Sequence, residues 1–329
     1  MLKARQHDSP PGAVRPGYML AVVTAFLFLC GLRSQAAEVR ASFLMDREVV
    51  SQTVQVLTNS GCTSAAATAF QRMVQRYSAT GLNLDLGKFP RLHEGFYTFA
   101  SAAQLAAALP HPLSETQHVY EFNCFDMVIL LAGESLHTTV RPDDIAGPFL
   151  APYTPTNGSF RVSPRATARD AFTVVYPQWY REVSEPAFPQ AQLDSRICLT
   201  AALFRCHPLP QSTTEESLPD AVMKVLRASW GRLEMKFPAN FEVVQCHEVS
   251  FPEHFLVTAH LGLLFPRKHG FTYIDKGGGS GPFVRLDFED RTELITWLKS
   301  IFKGGEKYGY THHYATFNDG KIELLESVR

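Results

Sequence analysis

The chain has 329 residues, 45% of them apolar, which is enough to bury a full hydrophobic core and excludes a disordered protein. Its 31 basic and 32 acidic side chains give a formal charge of −1. No basic field is present to condense on a phosphate backbone, so nucleic acid is excluded as a partner.

Lys3, Arg5 and Arg15 precede an apolar run over residues 18–32, and Ser34-Gln35-Ala36 then places small residues where a signal peptidase reads. The expectation is a signal peptide over residues 1–36, cleaved after Ala36, on an exported protein that is periplasmic or extracellular. The run is shorter than the ~20 residues of a spanning helix and no second one follows, so no stable membrane span is expected after cleavage. Cleavage removes four basic residues and one acidic residue, leaving 27 basic and 31 acidic side chains and a formal charge of −4.

Five cysteines remain: Cys62, Cys124, Cys198, Cys206 and Cys246. An oxidising compartment permits disulfides, and an odd number leaves one thiol over. The natural local bridge is Cys198–Cys206. Cys62 and Cys246 are left either to a second bridge or to the core, where cysteine packs as a small apolar residue. Under two bridges, the thiol left over is Cys124.

In chain order, Asp46 caps a helix whose apolar residues Val49, Val50, Val54 and Leu57 recur at helical spacing before Gly61 ends it. A second helix is predicted over 63–77 and a short alanine-rich one over 101–109, separated by an irregular stretch. Together, residues 37–115 read as an N-terminal helical region. Pro110 and Pro112 break the chain, and Phe122-Asn123-Cys124-Phe125-Asp126 then leads into an apolar helix over 127–132. Residues 141–240 read as a long insertion, with one strand at 172–176, an exposed Asn157-Gly158-Ser159 turn, and helices at 191–204 and 217–230. Within it, His207 reads as a surface residue. Strands follow at 241–249, 255–265, 271–276 and 283–288, separated by turn signals, and they should form an antiparallel sheet. Asp290-Arg291-Thr292-Glu293 has capping-box spacing for a helix to residue 302, and a last strand at 313–317 meets the Asn318-Asp319-Gly320 turn.

A thiol nucleophile needs a positive local potential, a base to hold its proton and a polar group to orient that base. Cys124 stands where an irregular segment becomes a helix, so the unpaired amides at that end favour a thiolate and can donate to an oxyanion, with Asn123 as a second donor. His260, within a strand of Val, Ala and Leu, is the candidate base. Asp275, across the next hairpin, is the carboxylate that would hold the imidazole tautomer. Taken singly, a cysteine opening an apolar helix and a histidine in a strand are ordinary core residues; their order and context make the combination specific. No cofactor is expected. His312, His313, His247 and His254 lack the spacing of a zinc site, so no metal is expected either. The Gly277-to-Gly281 glycine loop is not set between a parallel strand and a helix, so it is read as a flexible hairpin beside the site and not as a phosphate cradle.

Asn123-Cys124, His260-Leu261-Gly262 and Asp275 resemble the papain-like superfamily of NlpC-type cysteine peptidases and amidases, in which Asp-Cys opens a helix and His-Val-Gly opens a strand. With the region around Gly95-Phe96 and residues 308–319, they also resemble an uncharacterised family of exported bacterial proteins, the domain of unknown function numbered forty-three hundred. The resemblance implies an α+β fold over 116–329. Its papain-like core has a Cys-bearing helix on an antiparallel sheet, and the helical region and the insertion elaborate it. It implies thiol-dependent cleavage of a peptide or peptidoglycan-like amide by Cys124, His260 and Asp275. The alternative it leaves is an inactive scaffold that binds a cell-envelope ligand in the same cleft.

Overall fold

A computed structural model describes residues 38–78, 86–92, 95–109, 123–141, 145, 149–150, 162–163, 193–203, 205–277, 282–301 and 310–327. The segments expected as signal peptide (1–36), as the Asn157 turn and as the strand at 172–176 lie outside the described residues, as does most of the glycine loop.

The elements in chain order are β1 (Val39–Ser42), α1 (Arg47–Asn59), α2 (Ser64–Ser78), β2 (Tyr97–Phe99), α3 (Ala102–Ala108) and α4 (Cys124–Ala132). They continue with β3 (Phe149–Leu150), β4 (Val162–Ser163), α5 (Leu193–Leu203), β5 (Cys206–Pro208) and α6 (Leu218–Arg232). The last are β6 (Glu242–Ser250), β7 (Phe255–Pro266), β8 (Phe271–Lys276), β9 (Phe283–Phe288), α7 (Arg291–Ile301), β10 (His312–Phe317) and β11 (Lys321–Ser327). β3 and β4 form a separate two-stranded ribbon. The other strands make one sheet in the order β11-β10-β6-β7-β8-β9-β1-β2, with β5 added to β7, and every pairing in it is antiparallel. The α+β class with a large antiparallel sheet is therefore as expected.

Side chains along a strand alternate between the two faces, and here both faces are covered. Val243, Leu263, Ile274 and Phe283 join a core with Phe70 of α2, Met127 of α4 and Leu199 of α5. Their neighbours Val244, Leu264, Tyr273 and Val284 join a second core with Leu105 of α3 and Trp297 of α7. A third cluster sits under α6, where Val222 and Leu226 meet Val249 and Leu256.

Two regions are more integrated than the sequence implied. The N-terminal region is not wholly helical: β1 pairs with β9 and carries β2 on its other edge, so residues 39–99 complete the main sheet. The insertion also returns to the core through β5, which pairs with β7. His207 lies in β5 and is buried, in contrast to the surface position expected for it. Asp290 does cap α7, accepting from the N–H groups of Thr292 and Glu293. The Glu293 carboxylate does not reach back to complete a box; it accepts the Ala102 N–H at 2.7 Å and so caps α3 in a neighbouring part of the structure.

Candidate active site

Cys124 is the first residue of α4 because a reciprocal cap fixes the helix start one residue earlier. Asn123 has extended backbone, its Oδ1 accepts the Asp126 N–H at 2.9 Å, and Oδ2 of Asp126 accepts the Asn123 N–H at 2.9 Å. The N–H groups of Cys124 and Phe125 precede the first intrahelical bond, so they and the helix dipole give this end a positive potential beside the sulfur. Asn123, expected as an oxyanion donor, thus spends its carboxamide oxygen on the cap, which orients the amide nitrogen left for such a role.

His260 stands at a break in the sheet. β5 pairs with β7 as far as Val257 and β8 pairs with it from Leu263 onward, so His260 occupies the interval between two partners on the same edge. On the opposite edge Cys246 pairs with His260 but His247 pairs with Thr258, which makes Ala259 a bulge residue. A bulge re-aims the next side chain, here the imidazole. Asp275 comes from the part of β8 that runs past its last pairing with β7.

The three side chains converge. Nε2 of His260 lies 2.7 Å from Oδ1 of Asp275. The Cys124 sulfur stands close enough to the same ring to favour its charged form. Asp275 is held in turn by α7, where the Trp297 indole N–H donates to Oδ2 at 3.4 Å. Cys124, His260 and Asp275 are 3%, 6% and 1% exposed, so their interaction is little screened by water. Burial works against a charged imidazole, but the adjacent Asp275 carboxylate and Cys124 sulfur outweigh it and hold the His260 pKa well above its ordinary value. The arrangement therefore favours the charged imidazolium beside the sulfur.

The five cysteines among the described residues are buried and in no disulfide, so the expected Cys198–Cys206 bridge is not seen in the structure. Cys198 directs its thiol to the Val140 carbonyl, 2.8 Å away, while Cys206 is fixed in β5 by pairing with Val257. Cys62 and Cys246 belong to different core clusters and are not bridged either. Burial pushes the Cys62 and Cys206 thiols up to about 12 and Cys246 well above its usual range, which makes them poor nucleophiles.

Other residues around the site escaped sequence reasoning. Lys276 follows Asp275 and is wholly buried. Asp126 is also buried, and burial holds its carboxyl well above the usual carboxylate range. Its spacing from Asn123 was a legible signal for a cap; nothing in the sequence announced Trp297 as the partner of Asp275. The histidines weighed as metal ligands have other neighbours. His247 sits between the hydroxyls of Thr316 and Thr258, at 2.9 and 3.2 Å, and His313 lies between Glu248 and Glu326, at 3.7 and 3.4 Å. Among the described residues, no group of three or more His, Cys, Asp or Glu side chains is placed to hold a metal ion, and no helix is long and apolar enough to cross a membrane. No family model, curated protein or solved structure matches the chain.

Proposed function

We propose that the chain is an exported cysteine hydrolase of papain-like, NlpC-type character that cleaves a peptide or cell-wall amide bond. The observation that carries this reading is the 2.7 Å contact between His260 and Asp275 on a ring whose charged form is also favoured by the Cys124 sulfur at a helix N-terminus. In this scheme the Cys124 thiolate attacks the amide carbonyl, and the oxyanion is met by the free N–H groups at the start of α4 and by the Asn123 amide. The His260 imidazolium gives its proton to the leaving amine as the C–N bond breaks, leaving a thioester on Cys124 and a neutral ring. That ring then takes a proton from water, whose oxygen attacks the thioester carbonyl; the acid leaves and the thiolate–imidazolium pair is restored. Asp275 keeps the ring oriented throughout, and Trp297 keeps Asp275 oriented.

The substrate class follows from the proposed compartment, where stem peptides of the wall are the abundant amides, and remains part of the proposal. Purified chain starting at residue 37 is incubated with muropeptides and with a general peptide mixture, and acid-quenched protein is weighed by mass spectrometry. The expected result is new amine ends in one substrate set and an acyl adduct on Cys124, both absent from Cys124→Ala. If neither substrate set is cleaved while a muropeptide binds the intact protein and Cys124→Ala equally well, the chain is a binding scaffold and the hydrolase reading is wrong.

A further inference from the structure

β8 ends in two consecutive charged residues, and the alternation of a strand sends them to opposite faces of the sheet. Asp275 joins Trp297 and His260. Lys276 joins the α2 side, where its Nζ lies 4.8 Å from the ring centre of Tyr77 and 5.5 Å from that of Phe283. Its relative exposure is 0%, so the ammonium is removed from water entirely. An enclosed cation costs several kcal/mol unless negative charge is arranged against it. The groups arranged against this one are Cys124, Asp275 and Asp126, in decreasing order of effect. Asp126 belongs to the same turn of α4 as Cys124; its Oδ2 is tied to Asn123, and its Oδ1 has no hydrogen-bond partner among the described residues. The Cys–His–Asp scheme uses neither Lys276 nor Asp126. Two aromatic faces nevertheless enclose one lysine, and both rings, Tyr77 and Phe283, belong to the same core cluster as Cys124 at the start of α4.

We propose that Lys276 is a second cation for the Cys124 thiolate: it acts on the sulfur from the α2 face of the sheet while His260 acts from the other, and it stabilises that sulfur both as nucleophile and as the group released from the thioester. This rests on the thiol-hydrolase reading above and adds to it a control by pH. The charged or titratable groups around Lys276 are Cys124 and Asp126 on α4, Asp275 on β8, Tyr77 on α2 and, through the shared sulfur, His260 on β7. Burial draws the ammonium down to about 7 against the pull of these neighbours, so Lys276 loses its charge near neutrality. It is a positioning residue, since it transfers no proton in the reaction.

The test is the rate at which Cys124 is alkylated, read by peptide mass spectrometry over pH 5–9, with neutral iodoacetamide and anionic iodoacetate compared. In the native sequence, iodoacetate should be favoured below pH 7 and lose its advantage as pH rises through that value. Lys276→Met should raise the midpoint of the iodoacetamide profile by about one unit and slow alkylation at pH 6 by roughly tenfold, while Lys276→Arg keeps the native midpoint. A folded Lys276→Met protein with the native midpoint overturns the proposal. So does a native iodoacetate-to-iodoacetamide ratio that stays flat from pH 6 to 8.5, a result that needs no variant to fold. A native Cys124 that resists both reagents at pH 6 refutes the parent reading of an activated thiol, and is distinguishable from either of those outcomes.

Discussion

The phenol of Tyr273 fills the space directly above Gly262, where a Cβ would lie 2.1 Å from its hydroxyl oxygen and 2.4 Å from the carbon bearing it. Gly262 follows His260 by two residues, so both face the same side of β7, and Tyr273 precedes Asp275 by two on β8. The glycine of the His-x-Gly segment is thus a packing requirement that lets a ring lie flat beside the site. Gly262→Ala should destabilise the fold by about 1–3 kcal/mol and slow Cys124 alkylation, because Tyr273 must move and β8 carries Asp275 with it. The Tyr273 hydroxyl itself is buried without a hydrogen-bond partner among the described residues. Tyr273→Phe is therefore expected to be neutral or to gain about 1 kcal/mol, measured by urea unfolding of both variants.

Asp275 makes folding stability depend on pH through His260. The folded-state pKa of the imidazole is raised above its ordinary 6.5. A raised histidine gives stability that is present in full below the unfolded value and is lost as pH rises through the folded one. Asp275→Asn removes an opposing charge and leaves burial, which favours the neutral ring. The His260 contribution to native stability should therefore fall as pH climbs above about 6.5, and Asp275→Asn should lack that fall. The same substitution should slow alkylation of Cys124 at pH 6 by tenfold or more. Urea midpoints collected every half pH unit check the first expectation, and an unchanged slope would refute it.

How much of this was legible depends on where the information resides. The long strands β6 to β9 and helices α1, α2 and α7 carry local signals, with Asp46, Gly61 and Asp290 as punctuation, and they stand within a residue or two of their expected places. β1, β2, β5 and β11 were missed, as were the two-residue strands β3 and β4. The first three have three or four residues each, and what makes them strands is a neighbour distant in sequence: β9 for β1, β7 for β5. Cys124, His260 and Asp275 were legible because a helix start, a strand and the following hairpin leave few ways to arrange them. Lys276 was not, since a lysine ending a strand ordinarily reaches solvent, and only the packing of Tyr77 and Phe283 over it shows otherwise. The Cys198–Cys206 expectation rested on closeness in sequence alone, which says nothing about where Cys198 points.

Asn123 has two roles that one substitution can separate. Its oxygen caps α4, and its nitrogen is the proposed oxyanion donor. Asn123→Ala removes both and should cost about 1 kcal/mol of stability, within the usual 0.5–2 range for a lost cap. Asn123→Ser keeps an oxygen able to accept the Asp126 N–H and loses the amide. If the amide stabilises the oxyanion, Asn123→Ser should unfold at nearly the native urea concentration yet turn over substrate 10- to 100-fold more slowly, with the loss in kcat and not in KM. Native kcat in the serine variant would confine Asn123 to capping.

A buried ionic network sets how firmly β8 and β9 are held. Arg285 meets both oxygens of Asp287 at 3.2 Å, and its other nitrogen donates to Thr53 of α1 at 3.2 Å. Asp287 also takes Arg267 at 2.7 Å and the Thr272 hydroxyl at 2.7 Å, joining α1, the β7–β8 turn and both strands through one carboxylate. The Arg285 guanidinium lies 5.0 Å from the ring centre of Phe96, which covers it from the N-terminal region. Removing the carboxylate charge strands a buried guanidinium, so Asp287→Asn should cost about 3–5 kcal/mol, whereas Thr53→Val, which takes away a single neutral acceptor, should cost about 1 kcal/mol. The two are not independent, because each leaves Arg285 short of a partner; the double variant should fall below the sum of the single losses. Thermal melts of the four proteins close that cycle, and strict additivity would mean that α1 and β9 are fastened separately.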